Sequence, residues 1–246
     1  MSDDKCCQSD IECCGDDDCC CYEIGARFPL IGEKAPAFKA VTTNGEINFP
    51  ADYEGKWVIL FSHPADFTPV CTTEFMTFAS IQDELRAMNT ELIGLSIDSN
   101  FSHIAWLRTI KEKITWKGAS NVEVTFPVIA DLSMEVANLY GMVQPASSTT
   151  QAVRAVFFID PSATIRALVY YPASAGRNFD EIKRLLVAMQ TADKHGVATP
   201  ADWRPGDKVI VPPPTTIAAA NERVAGSGSG YEAMDWFLSF KDLPEA

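Results

Sequence analysis

The chain has 246 residues, of which 47% are hydrophobic, so it is long enough to bury a core of its own. Its formal charge of −13 excludes a nucleic-acid-binding protein, because neutralising phosphates requires clustered Lys and Arg. No stretch approaches the roughly 18 apolar residues that a membrane span needs, so we expect neither nucleic acid nor a membrane among its partners.

The first predicted region is an acidic, cysteine-rich tail over residues 1–27. Seven of the eight cysteines lie within the first 21 residues, and only Cys71 lies beyond them. The tail lacks the basic and apolar regions of a secretory signal, which predicts a cytoplasmic protein. Its polar composition predicts disorder. Its cysteines lack C-x-x-C spacing, so no ordinary zinc site is indicated, although metal binding stays an alternative.

Residues 28–194 alternate between predicted strands and helices. An Asn44-Gly45 turn predicts a hairpin, WVILF (57–61) a buried strand, and the spacing from Thr72 to about Asn89 a helix. The remaining predicted segments are the strand ELIGLSI, the helix FSHIAWLRTIKEK, the strand FPVIA, the short helix SMEVANLY, the strands VRAVFFI and TIRALVYY, and a helix over 178–193. This order predicts an α/β protein of thioredoxin-like type, with a mostly parallel sheet and an antiparallel last pair of strands.

Residues 195–246 are predicted to form a loop-rich C-terminal appendage, because the periodicity lapses there. Pro212–Pro214 form a stiff, extended run, and GSGSG at 226–230 is flexible. We expect the proline run to lie as a rigid arm over its own domain, with a role as a partner's ligand as the alternative.

The segment FSHPADFTPVCTTEF places Cys71 between the first core strand and the helix that follows. The N-terminus of a helix favours a thiolate, which is the reactive form of cysteine. Taken alone, a single cysteine beside an apolar strand is more often an inert buried residue. The absence of any C-x-x-C motif argues against a disulfide reductase of the thioredoxin type.

The same segment resembles the active-site segment of the peroxiredoxins, whose Pro-x-x-x-Thr-x-x-Cys pattern is matched by Pro64, Thr68 and Cys71. The resemblance covers about residues 28–240, and VATPADW and VPPPTT resemble the one-cysteine subfamily and its archaeal relatives. It implies a cofactor-free, thiol-dependent peroxidase that reduces hydrogen peroxide and alkyl hydroperoxides through a Cys71 sulfenic acid. A thiol reductant such as thioredoxin or glutathione, and a homodimer or larger homo-oligomer, are implied as well.

The resemblance also implies roles for the residues around Cys71. Arg154 reaches the thiolate from a neighbouring strand, and the Thr68 hydroxyl bonds both sulfur and peroxide. Pro64 shields the sulfur from water, and Arg177 supports Arg154. Together these groups polarise the O–O bond and stabilise charge on the leaving oxygen.

Several nearby residues have two interpretations. Glu74 is matched by the family, but a first-turn glutamate also favours the helix dipole. His63 lines the pocket of the resembling subfamily, where it can hydrogen-bond the sulfur, or it is a satisfied core residue. Arg177 is alternatively a surface charge at a helix start. His103 and His195 show no metal-ligand spacing and are expected to be surface or packing residues.

Departures from the family pattern narrow the expected function. Lys56 stands where some one-cysteine members carry the serine of a lipase-like segment, so we expect no phospholipase activity. Ala233 and Ser239 stand where archaeal relatives carry cysteines, so the usual C-terminal resolving thiol is missing.

The tail is then the only internal source of a thiol for oxidised Cys71. A flexible chain of some ten residues spans about 17 Å, which makes Cys19, Cys20 and Cys21 candidate resolving cysteines. The alternatives are a tail without a catalytic role, a metal-binding or thiol-buffering protein on an inactive scaffold, and a redox chaperone.

Overall fold

The computed structural model describes residues 28–226 and 230–244. The predictions for the cysteine-rich tail, including a resolving role of Cys19, Cys20 or Cys21, lie outside the described residues. No helix in the described ranges is long and apolar enough to cross a membrane.

The described chain contains twelve strands and five α-helices. In chain order they are β1 (Phe38–Thr42), β2 (Gly45–Phe49), β3 (Trp57–Ser62), α1 (Pro69–Ala87), β4 (Thr90–Ser96), α2 (Asn100–Lys113), β5 (Thr115–Trp116), β6 (Ala119–Ser120), β7 (Val128–Ala130), α3 (Glu135–Leu139), β8 (Arg154–Ile159), β9 (Ile165–Tyr171), α4 (Phe179–His195), β10 (Val209–Ile210), α5 (Ile217–Val224), β11 (Glu232–Asp235) and β12 (Leu238–Lys241). Each segment predicted between residues 38 and 195 is present, so the α/β class is confirmed.

The predicted hairpin joins β1 to β2, and Thr42 pairs with Gly45 across it. Gly45 has a φ of 105°, a left-handed conformation that a residue with a Cβ rarely adopts, which explains the glycine. The Thr42 hydroxyl donates to the Gly45 carbonyl at 2.7 Å and so closes the turn.

Seven strands form the central sheet in the order β2-β1-β7-β4-β3-β8-β9. The prediction of a mostly parallel sheet is wrong, because only the pairs β3–β4 and β4–β7 are parallel. β8 pairs antiparallel with β3 on its other side, and β9 returns antiparallel along β8, as its short connection predicted. The sheet is therefore mixed.

β3 lies near the middle of the sheet and is buried on both faces. Its side chains alternate, so Val58 and Leu60 pack on the face that α3 covers. Ile59 and Phe61 pack on the opposite face, together with side chains from α1, α2 and α4. β3 is thereby fixed by packing on both faces of the sheet, and the next residues of the chain lead into α1.

The C-terminal appendage has more regular structure than the sequence predicted. Strands β10, β12 and β11 form a small antiparallel sheet, and α5 lies between β10 and β11 in the chain. Trp203 and Val209 are buried in a cluster with Ala188 of α4, which attaches the appendage to the main domain. Strands of two to four residues are too short to show an alternating pattern in the sequence.

Candidate active site

Cys71 is the third residue of α1 and is fully buried. The helix begins at Pro69, three residues before the predicted Thr72, with Thr68 as its N-cap. Proline is favoured at the first helical position because it has no N–H group to leave unpaired there. Cys71 therefore lies inside the first helical turn, where the unpaired N–H groups favour a negative charge.

Arg154, the first residue of β8, places its guanidinium against Cys71. Its Nη1 donates to Cys71 Sγ at 3.2 Å and to Glu74 Oε2 at 2.8 Å. Its Nε and Nη2 donate to the Ala173 carbonyl at 3.1 and 2.8 Å. The guanidinium is thus held on two sides and directed at the sulfur.

Glu74 joins Arg154 to a second arginine. Arg177 donates to Glu74 through Nη1 at 2.6 Å and through its backbone N–H at 2.8 Å, and Arg177 Nη2 donates to the Ser62 and Ala155 carbonyls. Arg177 is 6% exposed, so its interpretation as a surface charge is wrong. Glu74 is in the second turn of α1, which also removes its interpretation as a first-turn partner of the helix dipole.

The buried charges around Cys71 do not balance without the cysteine. Arg154, Arg177 and Glu74 are all at most 6% exposed and carry two positive charges and one negative charge. Burial lowers the pKa of Arg177 to about 10, against the opposing effect of Glu74, so the Arg177 guanidinium remains charged at neutral pH. A thiolate at Cys71 would bring the net charge of this cluster to zero.

A pocket of about 240 Å³ is lined by Arg154, whose guanidinium contacts the Cys71 sulfur, while Cys71 itself is not among the lining residues. The lining residues are Pro64, Thr68, Pro69, Val70, Gln151, Arg154 and Ala173. The Thr68 hydroxyl donates to the Ala65 carbonyl at 2.8 Å, so its hydrogen is not available to the sulfur. The structure therefore brings together Pro64, Thr68, Arg154 and Cys71, while Thr68 faces the pocket as a hydrogen-bond acceptor.

Comparison with known proteins gives the family. The AhpC/TSA family model matches residues 31–168, more than half of the chain, and a model of the C-terminal domain of 1-Cys peroxiredoxin matches residues 188–226. This chain belongs to the AhpC/TSA family of peroxiredoxins. A peroxiredoxin of Methanosarcina mazei is 65% identical over 213 residues, covering 87% of this chain and 97% of that protein. One of Aquifex aeolicus is 54% identical over 225 residues, covering 87% and 97%.

Solved structures agree with this assignment. A yeast mitochondrial 1-Cys peroxiredoxin, 40% identical, superposes with a TM-score of 0.76 over 88% of this chain and all of that chain. Peroxiredoxin 6 of Arenicola marina, 32% identical, gives a TM-score of 0.76 over 89% of this chain and all of that chain. The prediction of a thioredoxin-like fold is confirmed, and the protein is a thiol-dependent peroxidase.

His63 lies elsewhere than its resemblance-based prediction implied. In this peroxiredoxin it is fully buried between Phe75 and Trp106, at ring-centroid distances of 4.7 and 5.2 Å. Its Nε2 bonds Asp66 Oδ1 at 3.0 Å, and its Nδ1 has no hydrogen-bond partner among the described residues. Neither His63 nor Asp66 is among the residues that line the pocket.

His103 completes a cluster that the sequence did not reveal. It is buried on α2, and its Nδ1 lies 2.8 Å from Asp66 Oδ2. Nitrogen and oxygen atoms of His63, Asp66 and His103 all lie within 4.8 Å of one another, the one group in the described ranges with the composition of a metal site. Donors on a tetrahedral zinc ion stand about 3.3–3.6 Å apart, so contacts of 2.8 and 3.0 Å fit hydrogen bonds better.

Proposed function

We propose that this peroxiredoxin reduces hydrogen peroxide and small alkyl hydroperoxides with Cys71 as the attacking thiolate. The observation that carries the proposal is the 3.2 Å contact from Arg154 Nη1 to Cys71 Sγ inside a buried cluster with one unbalanced positive charge. The sulfur attacks the nearer peroxide oxygen and the O–O bond breaks. The departing oxygen takes a proton to give water or an alcohol, and Cys71 becomes a sulfenic acid.

Each neighbouring residue has its own role in this step. Arg154 stabilises the thiolate and the negative charge that develops on the peroxide oxygens. Thr68 donates its own hydrogen to the Ala65 carbonyl, which leaves its oxygen free to accept the peroxide hydrogen and so to orient the substrate. Glu74 and Arg177 hold Arg154 in place, and Pro64 keeps water from the sulfur.

The size of the pocket supports small peroxides as substrates. Its volume of about 240 Å³ lies below the range of about 300–1,000 Å³ that is typical of sites for drug-sized ligands. Hydrogen peroxide and short alkyl hydroperoxides fit such a space.

The sulfenic acid needs two thiol equivalents to return to the starting state. The first thiol condenses with it to form a disulfide and water, and the second releases Cys71 by exchange. The yeast relative resolves its thiol via glutathione/thioredoxin systems, and we propose a reductant of this kind here. In the appendage Ala233 of β11 pairs with Ser239 of β12. Neither residue is a cysteine, so neither position supplies a thiol.

We further propose that Cys19, Cys20 or Cys21 supplies the first thiol, because every cysteine other than Cys71 belongs to the tail. After one equivalent of peroxide, peptide mapping should find Cys71 in a disulfide with the tail. If Cys71 occurs only as sulfenic or over-oxidised acid, the first thiol is external.

We also propose a cytoplasmic homodimer or larger homo-oligomer, in which case light scattering at micromolar concentration reports a particle larger than 27 kDa.

The test of the peroxidase proposal is consumption of hydrogen peroxide with dithiothreitol by the parent protein and by Cys71→Ser. The variant retains all seven tail cysteines, so it controls for oxidation of the tail. We expect activity to fall to the background of dithiothreitol alone, with an unchanged circular dichroism spectrum. Turnover comparable to the parent would show that the reacting thiol lies in the tail.

A further inference from the structure

We propose that His103 is a positioning residue, which as a buried cation holds the loop over residues 63–68 in place beside Cys71. This inference rests on the proposed peroxidase function, because the loop carries Pro64 and Thr68. His103 itself touches neither the pocket nor the sulfur. Its effect passes through Asp66.

The contacts of His103 define its charge. Its Nε2 lies 3.1 Å from the Ile129 carbonyl oxygen, and its Nδ1 lies 2.8 and 3.0 Å from the two carboxylate oxygens of Asp66. Both nitrogens thus face acceptors. A neutral imidazole has a single N–H group and would leave one nitrogen lone pair against an oxygen. This geometry favours an imidazolium at His103 that is paired with the Asp66 carboxylate.

His63 carries the complementary role in the same cluster. Its Nε2 donates to Asp66 Oδ1 at 3.0 Å, whereas its Nδ1 has no partner within the described part of the chain. Burial lowers the pKa of His63, so this ring stays neutral. Burial alone would raise the pKa of Asp66, but the hydrogen bonds from His103 and His63 outweigh it and lower that pKa. One imidazolium and one carboxylate make the net charge of the cluster zero.

Asp66 connects the two histidines to the loop over residues 63–68, which borders the pocket. It stands midway between Pro64 and Thr68, and its backbone N–H donates to Asp98 Oδ2 at 2.9 Å. The next residue, Phe67, has a φ of 55°, a left-handed conformation that costs free energy for any residue with a Cβ. Its side chain is 57% exposed, so its own packing offsets little of that cost. The anchors on Asp66 hold the strained turn.

Helix α2 braces both sides of Cys71. His103 holds the preceding loop, and Trp106, one turn further along α2, donates from Nε1 to Thr72 Oγ1 at 3.2 Å. Thr72 is the residue after Cys71 and bonds the Thr68 carbonyl through its hydroxyl at 2.8 Å. The orientation of the pocket wall therefore depends on α2, a helix that contributes no residue to the pocket lining.

The test compares His103→Gln, Asp66→Asn and the double variant with the parent. We expect each single variant to lower kcat/KM for hydrogen peroxide by about 10- to 100-fold, because a misplaced pocket wall weakens orientation of the peroxide. The double variant should be no worse than the more damaged single variant, since both substitutions break the same clamp. His195→Gln, at the end of α4, is the matched control and should retain the parent rate.

A second readout separates positioning from general damage. The pH profile of Cys71 alkylation should stay unchanged in His103→Gln, because Arg154, Arg177 and Glu74 are untouched. Loss of kcat/KM with an unchanged profile supports the proposal. Single effects that multiply in the double variant, a parent-like kcat/KM in His103→Gln, or a profile that shifts with the rate would overturn it.

If His103→Gln does not fold, Asp98→Asn answers the same question, because it weakens the anchor on the Asp66 backbone at a partly exposed position. We expect a fall in kcat/KM of about 3- to 10-fold with the alkylation profile retained. A parent-like rate in that variant contradicts the proposal. If instead Cys71→Ser keeps its turnover, the peroxidase proposal fails, independently of the result at His103.

Discussion

Two buried charged clusters lie near Cys71 and the loop that follows β3, and they differ in their charge balance. The arginine cluster of Arg154, Arg177 and Glu74 has one excess positive charge unless Cys71 is ionised. The histidine cluster of His63, Asp66 and His103 is balanced by its own members. Arg154 of the arginine cluster lines the pocket, whereas no residue of the histidine cluster does.

This difference in charge suggests different roles for the two clusters. Burying an unpaired charge costs several kcal/mol, so an excess charge in a core is retained where a reacting group completes it. A cluster with zero net charge can hold its residues in a fixed geometry without a further charged group. In our proposals the arginine cluster favours the thiolate and the histidine cluster keeps the pocket wall in place.

Arg154→Met, in the arginine cluster, is expected to have the largest effect on peroxide reduction. It removes the excess charge and the donor to the sulfur, so we expect a loss in peroxide reduction of about 10²- to 10³-fold. The midpoint of the pH profile for Cys71 alkylation should move to higher pH. Stopped-flow oxidation and site-resolved alkylation measure the two effects, and a parent-like profile would count against the charge account.

Glu74→Gln tests the same charge balance in the opposite direction. It leaves two arginines without their carboxylate, so the alkylation midpoint should move to lower pH. The amide still accepts hydrogen bonds, and we expect the free energy of unfolding to fall by about 1–3 kcal/mol. Urea unfolding gives that value. A shift of the midpoint in the same direction as in Arg154→Met would contradict the model.

Thr68→Val sharpens the role of the pocket wall. The substitution keeps the shape but removes the oxygen that we assign to the peroxide hydrogen, so kcat/KM should fall about tenfold, or about 1.4 kcal/mol. Thr68→Ser is the matched control and should recover most of the rate. Equal rates in the Val and Ser variants would remove Thr68 from the mechanism.

The smallest expected effect is the acid sensitivity of the histidine cluster. The pKa of His63 is lower in the folded protein than its ordinary value of 6.5, so protonation favours the unfolded chain. Its contribution to stability is complete above pH 6.5 and is lost as the pH falls, by at most about 1.4 kcal/mol per pH unit. The pKa of Asp66 is also lowered from 3.8, so its contribution is lost only in stronger acid.

Urea unfolding of the parent and of His63→Phe between pH 7 and 5 isolates this term. The difference between the two stability curves should shrink or change sign as the pH falls, while His195→Gln keeps the slope of the parent. Parallel curves for the parent and His63→Phe would show that His63 is not held neutral by burial.

The sequence predicted the elements that have local signals. The strand WVILF, the Gly45 turn and the order around Cys71 depend on neighbouring residues, and Pro64, Thr68 and Arg154 could be found from a motif. The mixed direction of the sheet has no local signal, because it depends on which side of β3 receives β8. The same limit applies to the contact of Asp66 with His103, which are 37 positions apart.

The central claim is that the buried arginine cluster favours the thiolate form of Cys71, and site-resolved alkylation with iodoacetamide tests it most directly. Free cysteine added to the same sample serves as the reference thiol, with an ordinary pKa of about 8.5. We predict that the alkylation rate of Cys71 begins to fall at a lower pH than that of the reference thiol, and that this difference shrinks in Arg154→Met. A Cys71 profile that follows the reference thiol in the parent, and does not change in Arg154→Met, would contradict the account.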